Sequence, residues 1–117
     1  MRLLAEAEGR IAADADDVAD ALRERLRLRA VGEGAPRLEV DERRRRYALE
    51  GGWWYRGEYS VSPAASGGSV VTLRVFDVAK RLKWGVALAN RGFVGFAGRT
   101  RQDFDELLAD LAASCAA

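Results

Sequence analysis

Apolar and charged residues alternate over the first eleven positions: Leu3, Ala5, Ala7, Gly9 and Ile11 share one side, Arg2, Glu6, Glu8 and Arg10 the other, with Leu4 out of phase. Alternation of this kind predicts a half-buried strand. Asp14, followed by Asp16 and Asp17, offers an N-cap and first-turn acids for a helix from about Ala15 to Leu26. Val18, Ala21, Leu22 and Leu26 form its inward stripe, and Asp20, Arg23, Glu24 and Arg27 its solvated side.

The turn-forming GEGAP at Gly32 to Pro36 separates this helix from RLEV, where Leu38 and Val40 alternate with charges in a short strand. DERRRRYALE then leads to the Gly51-Gly52 pair, a hairpin signal. A plain two-residue turn would split the apolar residues between faces. A glycine bulge absorbing one residue there would bring Tyr47, Leu49, Trp53, Tyr55, Tyr59 and Val61 onto one face. The loop from Ser62 to Ser69 connects to a last strand with Val71, Leu73 and Val75 inward.

From Trp84 onward, Val86, Ala89, Phe93, Phe96, Ala97, Thr100, Phe104, Leu107, Leu108 and Leu111 recur at helical intervals. Gly92, Gly95 and Gly98 weaken that pattern, each by about 1 kcal/mol against alanine, so a kink or break is expected among them and an uninterrupted helix from Thr100 to Ala113. The pattern predicts an α+β fold, with one N-terminal helix after the first strand and a curved antiparallel sheet wrapped on a long C-terminal helix. Such a sheet can enclose an apolar cavity against the helix.

Composition narrows the chemistry. A chain of 117 residues, 49% hydrophobic and 32% charged, fits one folded domain over residues 1–117. Its net charge of +1 supplies no global field for nucleic acid or an anionic membrane. The absence of histidine excludes histidine-dependent triads and zinc sites, and a single cysteine, Cys115, excludes an internal disulfide. Cys115 is expected near a frayed terminus. Acidic residues after a short apolar run in MRLLAEAEGR argue against a secretory signal, so a cytoplasmic location is expected. No phosphate-loop, dinucleotide or metal motif occurs, and no cofactor, metal or catalytic residue is assigned.

WWYRGEYSV, VVTLRVFDVA and KWGVALANRGFVGFAGRTRQDFDELL resemble small bacterial members of the START-like (SRPBCC, helix-grip) superfamily, which includes polyketide cyclases and lipid-transfer domains. The resemblance implies a cavity between the concave sheet and the C-terminal helix, with apolar or aromatic cargo. The chain is abbreviated relative to that family between Arg27 and Asp41.

On this reading the domain binds a small hydrophobic or aromatic molecule without catalysis, lined by Tyr55, Tyr59, Val71, Leu73, Val75, Leu88, Phe93 and Phe96. A cyclase or aromatase would instead draw on Glu50, Tyr55, Tyr59 and Arg91. A pocketless module would use the aromatics as core and pair as a homodimer through Trp54 and Phe76 on the outer sheet face. Arg43 to Arg46, offset by Asp41 and Glu42 and split between faces by strand alternation, predicts no nucleic-acid role. The segment following Lys80, Arg81 and Lys83 is too short to span a bilayer, so no stable membrane insertion is expected.

Overall fold

The structure, a computed structural model, describes residues 2–52, 54–78 and 96–116. Five strands form one antiparallel sheet: β1 (Arg2–Ile11), β2 (Arg37–Asp41), β3 (Arg46–Gly51), β4 (Tyr55–Pro63) and β5 (Ser69–Asp77). They lie in the order β1-β5-β4-β3-β2. Helix α1 (Ala15–Arg29) connects β1 at one edge to β2 at the other, and α2 (Phe96–Ala116) completes the described chain. The order strand, helix, four-strand meander, helix is the α+β arrangement the sequence pattern predicts.

Local chemistry sets the element ends. The Asp14 carboxylate accepts a hydrogen bond from the Asp16 backbone N–H at 3.2 Å, capping α1, while Asp16 and Asp17 occupy its first turn and Arg27 and Arg29 its last. The helix therefore runs one turn beyond the predicted Leu26. Val18, Leu22 and Leu26 are fully buried, as the stripe requires, with Ala15 and Ala19 beside them.

The sheet's inner face supplies Ala5, Ala7, Ile11, Tyr47, Leu49, Tyr59, Val61, Val71, Leu73 and Val75 to the same core, joined by Phe104 and Leu111 of α2. Leu3 departs from its expected side. A register shift between Leu3 and Ala5 breaks the alternation and leaves Leu3 49% exposed. Cys115 packs against the core rather than fraying.

The β2–β3 connection corrects the reading of the arginine run. Residues Glu42–Arg44 form a 3-10 turn, which the Asp41 carboxylate caps by accepting from the Arg44 N–H at 3.3 Å. Arg45 is left-handed, with φ 53°, and its Nε lies 2.8 Å from Asp16 Oδ1. Strand alternation therefore does not govern these residues; only Arg46 belongs to β3.

The β3–β4 phase agrees with the favoured reading, but no bulge produces it. Pairing runs unshifted from Arg46↔Ser60 to Gly51↔Tyr55, leaving the three residues 52–54 between the strands. That odd count puts Tyr47 and Leu49 on the face of Tyr55, Tyr59 and Val61. Trp53 lies outside the described residues.

Trp54 does not reach the outer sheet face. It sits in the turn, packs against the core, and meets Tyr55 edge to face with ring centroids 5.6 Å apart. Phe76 does lie on the outer face, in register with Arg56. The two aromatics therefore form no common pairing patch. Arg56 is held there by Glu39, Glu50 and Glu58 at 2.5, 2.7 and 2.8 Å.

Candidate functional site

Between the sheet and α2 lies a cavity of about 190 Å³. Tyr55 and Tyr59 of β4, Leu73 and Val75 of β5, and Thr100, Asp103, Phe104 and Leu107 of α2 line it, and Arg29 closes it from the last turn of α1. Cross-strand register explains the wall, since Tyr55 pairs with Asp77, Gly57 with Val75 and Tyr59 with Leu73. Alternate residues of β4 and β5 thus present one continuous inner surface.

Gly57 determines how the two tyrosines stand. A Cβ at that buried position would lie 2.6 Å from the Tyr55 hydroxyl and 3.1 Å from its Cζ. The Tyr55 ring therefore lies back along the strand over Gly57, its hydroxyl directed toward Tyr59. Arg29 donates from Nη1 to the Tyr59 hydroxyl at 3.2 Å. The polar tips of the cavity gather at one end, and Leu73, Val75, Phe104 and Leu107 supply its apolar remainder.

Burial pushes the Tyr55 phenol well above its ordinary value; the neighbouring Tyr59 adds to the shift, and Arg29 opposes it. Burial also raises Tyr47, opposed by Arg23 and reinforced by Glu42. Raised phenols carry a sign for stability. Above pH of about 10 the unfolded chain loses protons that the folded chain retains, so stability is full below that point and declines as pH rises toward the folded values. Absorbance titration is expected to show Tyr47 and Tyr55 ionising together with the loss of far-UV circular dichroism, and Tyr55→Phe to remove part of that step. Ionisation of both near the ordinary value in a still-folded chain would contradict this.

The cavity brings together Tyr55, Tyr59, Leu73 and Val75 of the residues expected to line it. Val71 is not among them: it lies between Gly9 and Val61 in the closed part of the core, one inward position beyond Leu73. Leu88 and Phe93 lie outside the described residues, as does the side chain of Phe96, the first residue of α2. Glu50 is turned away from the cavity and bound to Arg56 on the opposite face, which removes it from the cyclase set; Arg91 lies outside the described residues.

Phe104 and Leu107 carried a signal in the helical stripe of the C-terminal segment. Thr100 lies on the same stripe; Arg29 and Asp103 carried no signal, because their place in the site depends on how α1 and α2 meet over the sheet. Among the described residues no group of three or more Cys, Asp or Glu side chains is arranged to hold a metal ion.

No protein-family model and no curated protein matches the chain. Among solved structures, the crystal structure of TTHA0849 from Thermus thermophilus is similar over 95% of each chain, with a TM-score of 0.60 and 18% identity. At that identity the likeness is one of fold. The described residues contain no helix long and apolar enough to cross a membrane.

Proposed function

We propose that this chain is a small START-like domain that holds a hydrophobic or aromatic molecule, without catalysis, between its sheet and C-terminal helix. One observation carries the reading: Tyr55, Tyr59, Leu73 and Val75, set on two strands, converge with Phe104 and Leu107 on a single cavity of about 190 Å³. A dry apolar cavity of about 150 Å³ suffices for benzene, whereas drug-sized ligands occupy about 300–1,000 Å³. The described space suits a single ring with a polar substituent. A cytoplasmic setting belongs to the same reading.

Toluene tests the site. A ligand that binds only the folded chain raises its melting temperature, and more so as its concentration exceeds Kd, so added toluene is expected to shift the transition upward. Leu107→Trp should fill the space from the half-buried helix side and abolish the shift while leaving far-UV circular dichroism unchanged. The chain purified from cells is expected to show a native mass excess released by organic solvent. A bare mass together with no toluene response would remove the reading.

A further inference from the structure

We propose that the cavity takes an anion: a monocyclic aromatic carboxylate whose ring lies on Leu73, Val75, Phe104 and Leu107 and whose carboxylate is met by Arg29. The proposal rests on the small-molecule reading and names the chemical class that reading leaves open.

Arg29 stands apart from its neighbours on α1. Arg23 is paired with Asp20 and Glu42, Arg25 with Asp110, and Arg27 with Glu24. Arg29 has no such partner: among the described residues, no carboxylate oxygen lies within 4.0 Å of its guanidinium, which meets the Tyr59 hydroxyl at 3.2 Å and the Tyr55 phenol beside it. The remaining positions, 1, 53, 79–95 and 117, supply no acidic side chain, whereas Lys80, Arg81, Lys83 and Arg91 are cationic.

The donor geometry fits a carboxylate. A guanidinium offers five N–H donors in a planar fork that matches the two oxygens of a carboxylate. One donor is used on Tyr59. The Tyr59 hydroxyl also shares a hydrogen bond with the Tyr55 phenol, so an incoming carboxylate is met by the remaining N–H donors of Arg29. The Tyr55 phenol, hydrogen-bonded to Tyr59 and Arg29, stands at the same polar end of the cavity.

Asp103 lines the same cavity, and its exposed carboxylate opposes a bound anion. Glu106 and Asp110 border the open groove on the other side of Arg29, where Asp110 is engaged by Arg25. Removing the Asp103 charge should therefore strengthen anion binding, the opposite of what removal of a ligating group would do.

Calorimetric titration of the full chain with benzoate, benzamide and toluene separates the possibilities. Benzoate is expected to bind about tenfold more tightly than the neutral isostere benzamide, the factor that one charge-assisted hydrogen bond supplies. Arg29→Gln should erase that advantage, with an unchanged far-UV circular dichroism spectrum showing that the variant is folded. Asp103→Asn should strengthen benzoate severalfold and leave toluene unchanged. Toluene binding with benzoate no better than benzamide, or with benzoate indifferent to Arg29→Gln, would overturn the anion and leave the small-molecule reading standing. Failure of all three probes would overturn that reading and the anion with it.

Discussion

Phe104→Ala is expected to lower the unfolding free energy by about 3–5 kcal/mol, the range for truncating a buried aromatic. Phe104 is 1% exposed and belongs to both the common core and the wall of the cavity. The cost depends on how far the surroundings can collapse into the space left behind. Here that space opens onto an existing cavity of about 190 Å³, bounded by strands whose register is fixed by pairing on both sides. Little collapse is available, which places the variant toward the upper part of the range. Against a total stability of about 5–15 kcal/mol, such a loss is about a fifth or more of what holds a small domain together.

Urea denaturation checks it: the midpoint should fall with the slope unchanged, as for a variant that alters stability without altering the surface exposed on unfolding. The enlarged void should also accept toluene more tightly than the parent cavity does, so that saturating toluene restores part of the lost midpoint. A loss below about 1 kcal/mol, the scale of a tolerated hydrophobic swap, would mean that Phe104 does not clamp α2 to the sheet.

The same residue shows what a sequence can reveal of this fold. Phe104 lies on a stripe that recurs at helical spacing, so its inward direction was legible. The strand alternation around Leu73 and Tyr59 was legible for the same reason: burial of one face imposes a period that local sequence must obey. Leu3 escaped because one shifted pair between β1 and β5 reverses the phase at the strand's start, and the shift depends on the partner strand. Trp54 escaped because it falls in the three-residue β3–β4 turn, before the first paired residue of β4.

The site itself was half legible. Tyr55 and Tyr59 announce a face, yet their joint orientation depends on Gly57, whose missing side chain lets one ring lie along the strand. Arg29 carried no local sign of its role. It is one of several arginines on α1, and what distinguishes it is the tyrosine it meets 30 positions later and the carboxylate it does not meet. Such a property belongs to tertiary packing and to charge balance over the whole chain, and periodicity does not encode either.

Gly68→Ala is expected to cost about 2–5 kcal/mol, from two separable causes. The residue sits at φ +77°, where an L side chain is strained by about 1–2 kcal/mol. A Cβ there would also lie 2.7 Å from the Ile11 carbonyl oxygen. That neighbour is backbone at the end of the β1–β5 ladder, where Ile11 pairs with Ser69, so it cannot rotate away as a side-chain tip would. Forcing the contact adds about 1–3 kcal/mol, the cost of overpacking a well-fitted site.

The strain would propagate. Ser69 donates from Oγ to the Ala13 carbonyl at 2.6 Å, immediately before the Asp14 cap, so displacement of this corner loosens the start of α1 as well as the end of β1. Gly67→Ala separates the two causes, because Gly67 has φ +92° but nothing within 4 Å of a built Cβ. It should show the backbone cost alone. Thermal or urea unfolding of both variants gives the difference directly. A larger loss for Gly68→Ala fixes the β4–β5 loop to the end of β1, whereas equal losses would mean that the loop yields as a unit and that the pairing of β1 with β5 does not depend on its close approach.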